Sequence, residues 1–408
     1  NTVQENSFYV KPIREFASAN ALAYDSVTGE ITYREFPETP DQLQNLQNVT
    51  EVGNTTTITS EFNSTNSVSL YVHNGIETDS NVIIGQDAGF TGLGDARVAI
   101  GYKAGMISQQ ANAVAIGTSA GMTSQNIWSV AIGTWAGRTS QKESAVAVGY
   151  RAGEEYQGKW SVAIGNVTGE SNQGSQSVAI GSIAGKTNQG DFSIAIGQGA
   201  QEQGVSAASA IAIGNDAGSN SQGSKTIAIG SEAGAETQSD HSISFGSSAG
   251  SNSQGTMGVA IGFNAGRQGQ NGYSVAIGSD AGMVIQGSQS VAIGNQAGKT
   301  NQNVYSVAIG TSAGQTNQGS NSVAIGRLAG ESNQALNSII INASGSALNN
   351  VATGSNSFYV KPIREFASAN ALAYDSVTGE ITYREFPEGG SGALQNLQNV
   401  TETGNTTT

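Results

Sequence analysis

Apolar and small residues alternate over five positions, give way to a polar stretch, and return with the same pattern every 16 residues through most of the chain. In Ser129-Val130-Ala131-Ile132-Gly133, Val and Ile alternate with Ser and Ala. That is the period-two signature of a strand with one greasy face and one small-residue face. The closing glycine stands at Gly85, Gly101, Gly117, Gly133, Gly149, Gly165, Gly181 and Gly197. After one 17-residue step it resumes at Gly214 and continues by sixteens to Gly326, with Asn342 as a degenerate last member. A fixed short period means one supersecondary unit stacked on itself, because a single unit cannot bury its apolar face alone. The pattern predicts an all-β fold, a parallel β-roll or β-solenoid of about 17 rungs, roughly 80 Å long at the usual inter-strand spacing.

Within a rung, the motif glycine and the following Ala-Gly pair (Ala136-Gly137) predict a tight turn. A second, more polar strand follows, such as Lys186-Thr187-Asn188-Gln189. Gln recurs eight residues after the motif glycine, at Gln125, Gln141, Gln157, Gln173, Gln189, Gln222 and further positions. Stacked rungs set identical side chains about 4.8 Å apart, so these amides are expected to form a structural ladder. Val and Ile are read as the core of each rung. The Ser/Ala face is read as the surface that packs on neighbouring chains, with three-fold association the simplest closed arrangement. The 17-residue step after Gly197 is read as a kink, a bulge or a binding loop, a tolerated bulge being preferred.

The ends are duplicated. Residues 6–38 recur unchanged as 356–388, and residues 43–57 recur as 394–408 with only Val52 replaced by Thr403. The boundaries expected are a β-hairpin collar at 1–42, a neck and strand connector at 43–80, the roll at 81–343, a linker at 344–355, and a second collar and neck at 356–408. Two alternating runs around Ser26-Val27-Thr28-Gly29 predict the hairpin. Leu43, Leu46 and Val49 are spaced for a short neck packing against copies of itself. A natural tandem array explains the duplication, and so does an engineered graft, since Gly389-Gly390-Ser391-Gly392 has the composition of a flexible linker. The opening Asn-Thr-Val-Gln reads as the start of a piece of something longer.

Composition narrows the function. The 55 glycines and only 12% charged residues would suggest disorder if the period were absent. There is no Cys, which removes disulfides and thiolate metal sites. A net charge of −14 opposes non-specific binding to nucleic acid or anionic membrane, and no apolar run is long enough to span a bilayer as a helix. The two histidines, His73 and His241, lie far apart without a Ser or Asp partner at recognisable spacing. No enzyme, cofactor or metal site is expected. The candidate recognition position lies five residues before the motif glycine, where Trp128, Trp160, Phe192, Tyr273 and Tyr305 stand, with His241 in a further rung. These rings either bind a receptor, stacking on sugars for example, or cap the seam between protomers.

Repeats such as Ser177-Val178-Ala179-Ile180-Gly181 and Ser322-Val323-Ala324-Ile325-Gly326 resemble the head repeats of the YadA-type trimeric autotransporter adhesins. That resemblance implies a trimer of left-handed parallel β-rolls. The period here is longer than is usual in those heads, by an added Gln-Gly corner. Ser7-Phe8-Tyr9-Val10-Lys11-Pro12-Ile13-Arg14 and Thr28-Gly29-Glu30-Ile31-Thr32-Tyr33 resemble shaft segments of phage and large-virus tail fibres. The expectation is a non-enzymatic homotrimeric fibre or adhesin segment, extracellular on a virion or cell surface, whose partners are itself and a glycan or cell-surface receptor. The alternative is a purely structural extracellular filament of tandem units.

Overall fold

The V-A-I tripeptides form the strands, and they stack in register because each rung has the same length. The computed structural model describes residues 20–24, 31–35, 81–91, 95–204, 207–350, 354–364 and 370–385, and among them there is no helix. Eighteen strands from Val82–Ile84 to Phe358–Lys361 pair in parallel and in chain order. Like meets like: Val130 pairs with Val146, Ala131 with Ala147 and Ile132 with Val148. The first and last strands are 17 steps apart, roughly 80 Å, so the sheet is an open stack. The polar strands make the second wall, a seven-stranded parallel sheet from Asn220–Gln222 to Thr316–Gln318. It is continued in the earlier rungs by single bridges such as Thr123 to Thr139 and Ser171 to Thr187. The fold is therefore a parallel β-solenoid of about 17 turns with 16-residue spacing.

The two faces of the V-A-I strand are the reverse of the expectation. Ala131, Ala163, Ala179 and their equivalents are completely buried, as are Ser129, Ser161 and Ser177. The flanking Val is half-buried, and Ile132, Ile164 and Ile180 are exposed. The reason is the thinness of the coil. A Cβ placed on Gly137, in the opposite wall, would stand 3.2 Å from the Cβ of Ala131. Where the walls are this close a methyl or hydroxymethyl fits and a valine or isoleucine does not; at the end of the stack Ile340 takes the alanine position. The core is thus columns of alanine, joined by Ala104, Ala120, Ala136 and their successors.

The ladder glutamines fill the rest of the interior. Gln125, Gln141 and Gln157 are fully buried. Nε2 of Gln141 donates to the Val130 carbonyl at 2.8 Å, reaching across the coil to the other sheet, and to Oε1 of Gln157 at 3.0 Å. Each glutamine therefore ties the two walls together and ties its rung to the next. Room for the amide comes from the second glycine of the rung, since a Cβ on Gly121 would meet Oε1 of Gln125 at 2.5 Å.

Corners are closed by left-handed backbone. One rung carries Gly133 (φ 127), Trp135 (φ 61), Gly137 (φ 51), Ser140 (φ 58) and Ser144 (φ 54). Three of these five are not glycine, which costs about 1–2 kcal/mol apiece in an L-residue. The stack offsets that cost: the amides of Gly133, Trp135, Ser140 and Ser144 donate to carbonyls of the preceding rung at 2.7–3.0 Å.

The 17-residue rung leaves the main sheet undisturbed, with Ile194, Ala195 and Ile196 paired to Ile211, Ala212 and Ile213. Val205 and Ser206 occupy the place in sequence where other rungs carry the ladder glutamine. Gln201, at a position that is glycine elsewhere, is buried instead, and neither of its amide atoms has a hydrogen-bond partner. At the other end the stack runs past residue 343. Leu348 bridges to Ala329, and Phe358–Lys361 pairs in parallel with Ile339–Asn342, so the beginning of the second module is itself the last rung. Ile340 stands in the alanine column and Tyr359 packs on that cluster. Larger side chains close the end of the core, as terminal rungs of a solenoid require.

Both expected hairpins are present. Asn20–Tyr24 pairs antiparallel with Ile31–Glu35, and Asn370–Tyr374 pairs identically with Ile381–Glu385. In the second, the Asp375 carboxylate accepts from the amides of Val377 and Thr378, which hold its carboxyl below the usual range. The neck at residues 43–57 and its copy lie outside the described residues, as does His73.

Candidate functional site

Two surfaces of the roll have the properties of binding sites. The first is the corner before each V-A-I strand. Trp128, Trp160, Phe192, Tyr273 and Tyr305 all occupy it, with φ between 54° and 60° and exposures between 52% and 59%. Their backbone is pinned. The amide of Trp160 donates to the Glu143 carbonyl at 3.0 Å, that of Phe192 to Ser175 at 3.0 Å, and that of Tyr273 to Thr256 at 2.9 Å. The sequence-predicted rings are thus gathered in one column at equivalent positions. Asn112, Asn321 and Asn337 hold the same corner and the same left-handed backbone in other rungs. Asn adopts that conformation readily, whereas a bulky ring is strained there. The rings are therefore not placed for local backbone stability.

The second surface is the outer face of the main sheet. Val and Ile columns run side by side along the rungs, with Phe245 in place of Ile in one of them, and the Ile side chains are exposed at 36–39% in Ile132, Ile164, Ile180, Ile261, Ile293, Ile309 and Ile325. With columns two residues apart over 17 steps, the stripe measures on the order of 500 Å². That is the size of the largest apolar patch on a typical monomeric protein, a patch that is often functional.

A cluster that sequence reasoning missed lies on the turns of three successive rungs. Trp135 and Tyr150 have ring centroids 5.9 Å apart, and the guanidinium groups of Arg138 and Arg151 lie 5.5 and 5.7 Å from the Trp135 ring. Glu154, only 2% exposed, accepts from Arg138 at 3.0 Å and from Arg151, which also reaches Glu170 at 2.6 Å. The hydrogen bond to Glu154 holds the Arg151 guanidinium above its ordinary pKa. The signal was a concentration of charge in a chain otherwise poor in it. Since each guanidinium is already paired with a carboxylate, the cluster pins turns together and leaves no charge free for a ligand.

The ladder glutamines lie inside the coil and touch no surface. Near the irregular rung, Lys186, Asn188, Glu202 and Ser221 line a shallow open depression, with Lys186 and Glu202 paired at 3.6 Å. Among the described residues no group of His, Asp or Glu is arranged to hold a metal ion. No family model, curated protein or solved structure matches the chain.

Proposed function

We propose that this chain is a segment of a non-enzymatic homotrimeric surface fibre or adhesin, resembling the YadA-type heads, exposed on a virion or cell surface. The observation that carries the reading is the unpartnered Val/Ile stripe, which three copies would turn toward a common axis and remove from water. Fully burying an isoleucine is worth about 1.5–3 kcal/mol, so covering the third or so of each side chain that is still exposed contributes about 0.5–1 kcal/mol, and repeated over the rungs that gain favours association. Three rolls side by side then present each recognition corner three times, and multivalency converts weak single contacts into firm attachment. Mass measurement in solution tests this. A trimer is expected, with dissociation to monomers when Ile132→Asp is combined with Ile164→Asp and Ile293→Asp. A monomeric wild-type chain would refute it.

A purely structural filament is the second reading, and one observation favours it. The strand Phe358–Lys361, which completes the roll, belongs to the duplicated module, and the same tetrapeptide stands at residues 8–11. Such a module is suited to joining successive rolls end to end. Micrographs showing long polymers in the absence of any ligand would support this reading.

A further inference from the structure

The aromatic corner has a period of its own. Trp128, Trp160 and Phe192 stand at alternate rungs, with Ser144 and Gln176 between them. After a step of three rungs a second triplet follows, His241, Tyr273 and Tyr305, again at alternate rungs, with Met257 and Gln289 between. Because the sheet keeps strict register, two rungs set equivalent positions about 9.6 Å apart. We propose, building on the adhesin reading, that each triplet is a platform for a neutral, extended β-1,4-linked polysaccharide of the chitin or cellulose type, whose disaccharide repeat nearly matches two rungs.

In such a chain successive sugars are turned by half a revolution, so every second sugar presents the same face to a flat surface. A ring at every second rung meets that face each time. In three of the four intervening rungs a polar side chain, Ser144, Gln176 or Gln289, is available to the hydroxyl or acetamido groups of the intervening sugar, and Met257 stands in the fourth. Small mismatches between protein and glycan repeats accumulate along a rigid row. Three rings followed by a three-rung break keep the accumulated error within one triplet.

Charge selects against acidic glycans. Glu143, Asp191 and Asp240 directly precede Ser144, Phe192 and His241 on the same corner, and the whole chain carries −14. Lys159, whose ammonium lies 5.8 Å from the Trp160 ring, is paired with Glu143 at 3.4 Å.

The test is depletion of the full chain from solution by insoluble chitin and crystalline cellulose, with granular starch and immobilised heparin as α-linked and anionic controls. Binding to chitin or cellulose and to neither control is expected. Trp160→Asn should weaken it roughly three- to ten-fold, and Trp160→Phe should restore most of the loss. The deciding variant is Ser144→Trp with Trp160→Ser, which keeps the same composition but moves one ring by a single rung. It should bind as weakly as Trp160→Asn. Equal binding by the shifted and native proteins would overturn the spacing argument. Tryptophan-dependent binding to starch or heparin alone would overturn the glycan class and leave the adhesin reading standing. Retention on none of the four solids, with Trp128 and Trp160 shielded from acrylamide in the trimer, would overturn the inference and assign the row to the protomer seam. Retention on none with the rings quenched would overturn it too. The adhesin reading fails separately, by a monomeric mass.

Discussion

Replacing Gln141 with Met keeps the volume of a completely buried side chain and removes its polar end. Three donated hydrogen bonds disappear, to Val130 O at 2.8 Å, to Gln157 Oε1 at 3.0 Å and to Ala145 O at 3.2 Å, together with the one accepted from Gln125. Gln125 keeps its bonds to the Val114 and Ser129 carbonyls, so the damage stays local. At a net ~1 kcal/mol for each of the four lost bonds, the loss is about 4 kcal/mol, or roughly a thousandfold in the local opening constant. A solenoid couples only nearest neighbours, so amide hydrogen exchange should accelerate in the rungs from Gly117 to Gly165 and stay unchanged around Gln302. Gln141→Glu adds a pH dependence. Burial against the two carbonyls raises the new carboxyl's pKa above its unfolded value of about 4.3, so its stability is retained below that value and lost as pH rises through the folded pKa. Gln141→Glu should therefore exchange faster at neutral than at acid pH relative to Gln141→Met. Unchanged protection in Gln141→Met would refute the claim that the amide ladder holds the walls together.

The same exchange at Gln201 has the opposite sign: its amide is buried without partners, so Gln201→Met should stabilise by about 1–3 kcal/mol, read as slower exchange in the rungs around Ala195 and Ala212. Gly133→Ala would place a Cβ 2.5 Å from Gly149 O at φ 127°, and a marked fall in melting temperature is expected. Gly345→Ala meets nothing within 4 Å, and its cost should be limited to about 1–2 kcal/mol of left-handed strain. Equal melting temperatures for the two alanine variants would show that rungs do not approach as closely as described. Trp160→Asn should leave the melting temperature of the roll unchanged or raise it, since Asn is at ease in a conformation that strains a large ring.

The sequence by itself determined the stack. A 16-residue period with Gly at one phase and Gln at another admits little besides parallel rungs, because register between identical units is set by their length alone. The hairpins were legible for the same kind of reason, two alternating runs around Thr28-Gly29. The alternation of Ser129, Val130, Ala131 and Ile132 also showed two faces, but it did not say which was inside. Hydrophobicity points to Val and Ile, and only the distance between the walls decides otherwise, since even a Cβ added to Gly137 would lie 3.2 Å from the Ala131 methyl, which leaves no room for valine or isoleucine at that position. That reversal moves the proposed association surface from the Ser/Ala face to the Val/Ile face. Likewise the aromatic positions could be counted from the sequence, but their exposure and strain could not. Position in sequence fixes a phase on the coil, whereas exposure depends on the fold of the corner, where Trp128 and Trp160 adopt a left-handed backbone that only the rung beneath makes tenable.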